Sequence, residues 1–488
     1  MRAKVGGESC GSFMVGHRKQ KSLLVAAVLI AVFLIALYYN SRPKPFKPFT
    51  ALIVSTTHAQ SNTAGQESLD KDNLKYQVYN NSVQFDHLWF NNNCLETSTL
   101  NTGIENINSV VDTWKNSLGT NCRDLYMKFS DIYIVRSRSA PVVIPETFAP
   151  KVLKWLGGKK KLLEEASLQL ITSVDNLYTQ ESTVFNPLRA KRPGAGGGAT
   201  ADTKKYVAEI VQATINDCDF CQYKTNTAQD PFGRVESQYT VSVSNTFKVE
   251  KFHSLVLWKH HNPLDIKEHE LLDGMETAQK WFRMAHAWDK KYTIPHIYWD
   301  TLPRASASQV HPHFHVTLAR DHYYAKWNHL YVAAKKYAED HNGENYFSTL
   351  TKIYSALGLA VRYGNATVLA YLTPTASHEI MLISKRPCKD LFHLLYDCLT
   401  AFRDDMELYA LSAGMVFPKF NPSPDGSDLP TIIRLVYRGA AEGTRADIDS
   451  LQLFGTTNVN VDPYVIISHI KKSVERRRAR PLRQSSDA

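Results

Sequence analysis

Three histidines occupy alternate positions in the segment QVHPHFHVTL: His311, His313 and His315. Because alternate side chains of a β-strand point to the same face, a strand here would place all three imidazoles side by side. Neutral imidazoles in such a row can ligate a metal ion or act on a phosphate group. Ser308 lies three residues before His311, where its hydroxyl and the neighbouring amides could hold phosphate oxygens. An imidazole that attacks phosphorus would divide one substitution into two in-line steps.

The segments around the histidine row predict a mixed α+β fold. Two stretches with an apolar stripe at helical spacing, 265–288 and 325–340, are predicted helices. Asp265, followed by Glu268 three residues later, predicts the start of the first helix. Short stretches rich in β-branched and apolar residues are predicted strands, at 239–244, 253–258, 295–300 and 311–318. The order strand, strand, helix, strand, strand with short connections indicates an antiparallel sheet.

The later part of the chain repeats this pattern. Residues 366–386 resemble residues 239–261 in their two strands and in the closing basic pair. The further elements predicted for this second copy are a helix at 389–413 and strands at 431–437 and 448–455. A duplicated half-domain is the economical interpretation, with residues 206–345 as the first half and 346–475 as the second, degenerate half.

Four motifs resemble one known family. SQVHPHFHV (308–316) resembles the S-x-x-H-P-H-x-Q strand of the galactose-1-phosphate uridylyltransferases, a branch of the histidine triad superfamily. FHSLVLWKHH (252–261) resembles the strand and turn that lead into that family's first helix, and SNTF (244–247) resembles its nucleotide-contact turn. LQLFGTTNVNVDP (451–463) resembles the closing segment of the second half-domain. The resemblance covers roughly residues 206–475 and implies two half-domains of histidine triad type, each an antiparallel sheet plus helices, in one uridylyltransferase-like domain.

The resemblance also implies roles for individual residues. His313 would be the catalytic nucleophile that takes a nucleoside monophosphate, with Ser308 holding the phosphate. His315 would hydrogen-bond the phosphate or the leaving group. Asn245 and Asp300 would bind the nucleoside part of the substrate.

A metal site is implied in the same way. Cys218, Cys221, His261 and His311 match the structural zinc ligands of the family. A tetrahedral site of two cysteines and two histidines would hold the nucleophile's strand in place through His311. The alternative for Cys218 and Cys221, which form a C-x-x-C motif, is a short-range disulfide.

Departures from the family pattern bear on the activity. His315 stands where the uridylyltransferases have Gln, and histidine at this position is commoner in the hydrolases of the superfamily. Asp300 replaces the usual Asn, and the strand expected to match the triad in the second half reads RADIDSL, without histidines. We therefore expect a nucleotidyltransferase or nucleotide hydrolase that acts on nucleoside diphosphate sugars or related phosphate esters through a covalent nucleotidyl-histidine. The alternative is a catalytically inactive nucleotide-binding or scaffold protein that keeps the fold.

An uncharged apolar run, SLLVAAVLIAVFLIALYY (22–39), predicts a single N-terminal transmembrane helix ahead of the α+β domain. Basic residues flank it on both sides, and their bias favours a cytoplasmic N-terminus and a lumenal or extracellular C-terminal body. A cleaved signal peptide is the alternative. In a lumen, Cys94 and Cys122 could pair. The other segments are predicted as a basic tail at 1–21, a linker at 40–74, a region of unknown fold at 75–205 that ends in a Gly-rich loop, and a basic tail at 476–488.

The net charge of +10 is confined to the ends of the chain. Residues 1–21 and 471–483 account for the entire excess, and the body between them is close to neutral. A basic face that binds nucleic acid is therefore not expected on the body. The expected partners are a nucleotide or nucleotide-sugar substrate and the membrane through residues 22–39. A second copy of the chain is a further candidate partner, since relatives commonly dimerise.

Overall fold

The computed structural model describes residues 85–95, 103–191, 201–444 and 450–478. All of them belong to one unit, Leu69–Ala488. Helices and strands alternate along these residues, so the predicted mixed α+β class is confirmed.

Twelve α-helices lie within the described residues. In chain order they are α1 (His87–Cys94), α2 (Ile107–Lys115), α3 (Thr120–Ile132), α4 (Ala149–Trp155), α5 (Lys160–Ser167), α6 (Ala201–Thr214), α7 (Tyr223–Asn226), α8 (Glu268–Trp288), α9 (Ala325–Asp340), α10 (Tyr346–Ala356), α11 (Lys389–Thr400) and α12 (Pro463–Arg478).

The strands of the described residues form two sheets. In chain order they are β1 (Tyr133–Pro141), β2 (Leu168–Asn176), β3 (Ser182–Phe185), β4 (Thr240–Ser244), β5 (Phe252–Trp258), β6 (Ile294–Asp300), β7 (His313–Ala319), β8 (Ala360–Tyr363), β9 (Ala366–Ala370), β10 (Ile380–Ser384), β11 (Leu411–Val416), β12 (Thr431–Tyr437) and β13 (Thr456–Val459). The smaller sheet has the order β1-β2-β3-β13, in which β13 pairs parallel to β3.

The larger sheet has nine strands in the order β4-β5-β7-β6-β11-β12-β10-β9-β8, and all its pairs are antiparallel. The strands β4-β5-β7-β6 and β9-β10-β12-β11 follow the same order relative to the chain. One helix, α8 or α11, lies between the second and third strand of each set. The two sets meet where β6 pairs with β11. The sheet therefore contains one arrangement twice.

One face of strand β7 packs into the core, and the opposite face carries His313 and His315. On the core side, Phe314 is fully buried and packs edge-to-face on Trp258 at a centroid distance of 5.4 Å. Helix α8 comes so close that a Cβ on Gly274 would lie 3.2 Å from Trp258 Cζ2 and 3.5 Å from Phe314 Cε1. Because strand residues alternate, His313 and His315 point away from this tightly packed side.

The structure shifts the predicted start of α8. Asp265 lies in a turn with Asn262, whose side-chain oxygen accepts from the Leu264 amide at 3.1 Å, so Asp265 does not cap the helix as predicted. Instead the Lys267 amide donates to the Glu270 carboxylate at 2.7 Å, and the helix begins at Glu268. The start signal is displaced because the local turn competes for the same backbone groups.

Two elements of the second half differ from the prediction. The segment 389–413 is not one helix, because α11 ends at Thr400 and β11 (Leu411–Val416) follows a π turn. The predicted strand at 448–455 is a 3-10 turn over Ser450–Phe454. In both cases the apolar run was too short to distinguish helical from strand periodicity, since buried helices and strands have similar sequences over such lengths.

The predicted localisation, a single-pass membrane protein with a lumenal or extracellular body, is corrected. Within the described residues, no helix is long and apolar enough to cross a membrane. The longest, α8, has 21 residues but carries charged side chains such as Glu276 and Lys280, which a hydrocarbon core does not accommodate. Residues 22–39, the predicted anchor, lie outside the described residues.

Cys94 and Cys122 form a disulfide that joins α1 to α3. Trp114 packs beside it, fully buried, and its indole N–H donates to the Cys122 carbonyl at 2.9 Å. This pairing was one of the possibilities that the sequence left open.

A buried ion-pair network joins the smaller sheet to the second half of the larger one. Arg434 of β12 donates from Nη1 to Glu181 at 2.7 Å and from Nε to Glu379. Tyr371 donates its hydroxyl proton to Glu181 at 2.9 Å. Burial alone would raise the pKa of Glu181, but Arg434 and Lys326 outweigh it and lower that pKa to about 2. The charges are therefore kept in the interior by their partners.

In the second half of the large sheet, this ion-pair network lies where the first half has His315. His315 is paired with Leu255 of β5 and Tyr298 of β6. Arg434 is paired in the same way with β10 and β11, opposite Met381 and Gly414. By strand order and register, Arg434 occupies in the second half the position that His315 occupies in the first.

We predict that Arg434→Met lowers the free energy of unfolding by about 3–5 kcal/mol, because it leaves buried Glu379 without its cation and Glu181 with Lys326 alone. The matched control is Arg136→Met, whose ion pair with Asp175 is half-exposed and is expected to contribute less than about 1 kcal/mol. Urea unfolding followed by circular dichroism measures both. Equal losses in the two variants would contradict the prediction.

Candidate functional site

Four side chains predicted as metal ligands come together beside the histidine strand. The ligand atoms of Cys218, Cys221, His261 and His311 all lie within 4.8 Å of one another. His311 Nδ1 is 3.5 Å from Cys218 Sγ and 3.4 Å from Cys221 Sγ, and His261 Nδ1 is 3.4 Å from Cys221 Sγ. A tetrahedral ion with zinc-like bond lengths would hold sulfur and nitrogen about 3.6 Å apart. The spacing therefore fits a metal ion, and the two cysteines are not joined in a disulfide.

Hydrogen bonds on the far side of each imidazole orient it toward this cluster. His311 Nε2 donates to the Trp258 carbonyl at 2.6 Å, which leaves the lone pair on Nδ1. His261 Nε2 lies 3.1 Å from Thr214 Oγ1, and Thr214 in turn donates to the Ile210 carbonyl at 2.8 Å. Burial lowers the pKa of both histidines, and that of His311 to about 4. Both rings are thus neutral and aimed as ligands are.

The cysteines need a cation to act as ligands. Burial and the neighbouring Cys218 thiol raise the pKa of Cys221 to about 12. A bound metal ion reverses this effect, because its charge favours the thiolate.

His311 belongs to this cluster and not to the strand, which corrects the prediction that all three histidines share one strand face. Strand β7 begins at His313, and His311 precedes it, separated by Pro312. Proline cannot donate a ladder hydrogen bond, so the strand starts after it. The Pro312 carbonyl still accepts from the Trp258 amide at 3.2 Å, which holds this approach segment against β5.

His313 is buried at the start of β7 with one ring nitrogen fixed. Its Nδ1 lies 2.7 Å from the His311 carbonyl, which can only accept, so Nδ1 carries the proton. The other nitrogen, Nε2, therefore holds a lone pair. Burial lowers the pKa of His313, which keeps the ring neutral. The Phe220 ring, from the loop between the two cysteines, packs edge-on at a centroid distance of 5.2 Å.

His315 lies in a second cluster with Asn245, which the sequence analysis predicted, and with His253 and Tyr298, which it did not assign to the site. It stacks on the Tyr298 ring at 4.4 Å, and its Nδ1 is 3.0 Å from His253 Nε2. The Tyr298 hydroxyl and Asn245 Nδ2 also lie near that His253 atom, at 2.8 and 3.1 Å. Burial lowers the pKa of His315 to about 3 and that of His253 to about 4. No spacing in the sequence indicates this cluster, because its members come from four different strands and loops.

The other predicted substrate-binding residues, Asp300, Asn245 and Ser308, do not all contact the histidines. Asp300 accepts from Ser412 Oγ at 2.5 Å, and Arg438 donates to the same hydroxyl at 2.9 Å, so second-half residues engage it. Burial raises the pKa of Asp300, and the Ser412 bond and Arg438 oppose that rise. Asn245 accepts from the Phe247 amide at 2.8 Å and touches His253. Ser308 is exposed in the loop before β7, and within the described residues no hydrogen bond joins it to the histidines.

The second half has no counterpart of the histidines. By register, β12 places Ile432, Arg434 and Val436 where β7 has His313, His315 and Thr317. The expectation that RADIDSL matches the triad strand was wrong. Its first five residues lie outside the described residues, and the next two belong to a 3-10 turn instead of a sheet strand.

No family model matches the chain, and no curated protein matches it. Solved structures do match. An ADP-glucose phosphorylase from Arabidopsis thaliana, solved with bound ADP-glucose, is 14% identical over 61% of this chain and 97% of its own, with a TM-score of 0.47.

Two further solved structures are of related kinds. A GalT-like protein from Arabidopsis thaliana is 15% identical over 52% of this chain and 91% of its own, with a TM-score of 0.44. A uridylyltransferase mutant is 10% identical over 49% of this chain and 90% of its own, with a TM-score of 0.41. These are proteins of the class that the histidine motif resembles. At these identities and TM-scores the likeness does not say which reaction this chain performs.

We predict that the purified protein carries one equivalent of a divalent metal and that Cys221→Ser loses most of it, because one of four ligands is removed. Cys388→Ser is the matched control, since Cys388 is also a free cysteine but lies outside the cluster. Metal content by plasma mass spectrometry and the thermal midpoint measure the effect. Equal metal content in the two variants, or none in the wild type after reconstitution, would show that the four residues do not form a metal site.

Proposed function

We propose that the protein is a nucleotidyl-transferring or nucleotide-hydrolysing enzyme that acts through a covalent nucleotidyl-histidine at His313. The observation that carries the proposal is the fixed Nδ1–H of His313, bonded to the His311 carbonyl at 2.7 Å. A neutral imidazole with its lone pair on Nε2 is a nucleophile that needs no deprotonation. The substrates proposed are nucleoside diphosphate sugars or related phosphate esters.

The reaction would proceed in two balanced substitutions. In the first, His313 Nε2 forms a bond to the α-phosphorus, and the bond from phosphorus to the bridging oxygen breaks, so the second phosphate leaves with its electron pair. In the second, an acceptor oxygen attacks the same phosphorus, the P–N bond breaks and its electron pair returns to His313 Nε2. Where the acceptor is water or a hydroxyl group, its proton passes to solvent. The protein's contribution is to position the nucleophile, since little covalent chemistry is needed beyond it.

Zinc is the metal proposed for the cluster of two cysteines and two histidines, because soft thiolate and imidazole ligands at tetrahedral spacing suit it. A closed set of four protein ligands gives the ion a structural role. It would hold His311, and through the His311 carbonyl it would fix the orientation of His313.

The repeated strand order supports the finer interpretation of the fold, two half-domains of histidine triad type. The proposed boundaries are 206–345 and 346–475. Only the first half would carry out chemistry, since Arg434 and its carboxylate partners occupy the corresponding place in the second.

A second candidate function follows from Asp300. Its carboxylate lies on the same sheet face as the histidines, where an ionised oxygen would repel the phosphate of a bound nucleotide. A protein that binds nucleotides without turnover would tolerate such a residue. The bond to Ser412 and the nearby Arg438 favour the enzyme, because they turn the carboxylate toward the second half and offset its charge.

We predict that the full chain, mixed briefly with a panel of nucleotide sugars and dinucleotides and quenched in alkali, gains the mass of one nucleoside monophosphate. His313→Ala should show no adduct, because the attacking nitrogen is missing. His322→Ala, which removes an exposed histidine, is the control and should react as the wild type does. A folded protein that binds nucleotide but forms no adduct would favour the binding protein.

A further inference from the structure

The proton position on His253 can be deduced from its surroundings. Its Nδ1 accepts from the backbone amide of Val249 at 3.2 Å, and a backbone N–H can only donate. Burial, with Lys248 nearby, lowers the pKa of His253 to about 4, so the ring is neutral near pH 7. A neutral imidazole carries one proton, and here it must be on Nε2.

Three polar atoms surround that Nε2–H, and only two can accept it. Asn245 Nδ2 is a donor, because the Asn245 side-chain oxygen is identified by the bond it accepts from Phe247. The acceptors are the Tyr298 hydroxyl at 2.8 Å and His315 Nδ1 at 3.0 Å. If His315 Nδ1 accepts, the proton of neutral His315 must be on its Nε2.

We propose that His253 is a positioning residue that fixes His315 as a neutral imidazole with its proton on Nε2. His315 then acts as a permanent hydrogen-bond donor to the phosphate held at His313, and not as an acid or a base. This inference rests on the proposed function for the phosphate, but the tautomer itself is a property of the free protein.

The hairpin that carries the Val249 amide is held rigidly enough for this task. Lys248 Nζ donates to Ser244 Oγ and to the His253 carbonyl, both at 2.8 Å, and lies 3.5 Å from the carboxylate of Asp230. Asp230 is buried and also accepts from Ser244, Ser254 and Trp281, at 2.8, 2.5 and 2.8 Å. These bonds tie the loop to β4, β5 and α8, so the amide proton stays aimed at the ring.

The proposal changes what can be concluded from a histidine, instead of a glutamine, at position 315. A glutamine side chain offers an N–H at its nitrogen and an acceptor at its oxygen. Neutral His315 offers the same pair, with Nε2–H toward the phosphate and Nδ1 toward His253. The two residues are then equivalent in hydrogen bonding, and a histidine here does not by itself indicate hydrolysis.

The test is a double-mutant cycle on the rate of adduct formation. His253→Phe keeps the ring shape but frees the tautomer of His315, and we expect a loss of roughly 10–100-fold, the range for partners that orient a functional histidine. His315→Gln supplies the second background, and its own rate is the baseline for that arm of the cycle. In the His315→Gln background, His253→Phe should cost little, because an amide has no tautomer to select. A purely structural role for His253 would cost the same factor in both backgrounds and would overturn the proposal.

A measurement on the unmodified protein keeps the proposal testable if a variant fails to fold. In the full chain labelled with nitrogen-15 histidine, His315 should show a protonated Nε2 and an unprotonated Nδ1, without titration between pH 5 and 8. The charged and titratable groups that face this pair are Lys248, Asp230, Tyr298 and His313, and none should change that pattern in this range. A proton on His315 Nδ1 would overturn the proposal, whereas the absence of any adduct at His313 would overturn only the proposed function.

Discussion

The hydrogen bond from His313 Nδ1 to the His311 carbonyl is the contact on which the site depends. The same His311 residue uses its side chain in two other directions: Nδ1 faces the two cysteines, and Nε2 bonds to the Trp258 carbonyl of β5. One residue thus links the cysteine loop, the neighbouring strand and the reactive imidazole. Because three directions are fixed at once, the His313 ring has little freedom to rotate, which is the preorganisation that nucleophilic catalysis requires.

The two halves of the large sheet use one topology for different purposes. In the first half, buried neutral imidazoles and a tyrosine fill the middle of the open face. In the second half, charges of opposite sign fill the corresponding place, and one of them, Glu181, comes from the smaller sheet. Because Arg434 and its carboxylate partners fill this place, it cannot bind a ligand, but the ion pair with Glu181 holds the smaller sheet against the larger one. Under the proposed function, the first copy of the arrangement would carry the chemistry and the second would hold the two sheets together.

The sequence predicted the parts of the site that follow strand periodicity or a motif, and it missed those that depend on register. His313 and His315 were found by alternation, and Cys218, Cys221, His261 and His311 by resemblance. His253 and Tyr298 were not found, because they meet His315 only once β5 and β6 pair on either side of β7. Likewise β11 was not found, since its short apolar run fits either period and only its pairing with β6 decides the outcome. Local sequence patterns do not predict which strands pair when those strands are far apart in the chain.

The parallel pairing of β13 with β3 has a consequence for how the chain is made. Asn458 bonds to the Val184 carbonyl across 274 residues of sequence, so the smaller sheet stays incomplete until most of the chain has been synthesised. At ordinary translation speeds this interval lasts roughly 14–55 s, during which the outer edge of β3 lacks its permanent neighbour. An open strand edge is a template for pairing with other chains. Nascent chains, and products truncated before Thr456, are therefore the forms of this protein most exposed to misassembly, and a chaperone that covers this edge would act during that window.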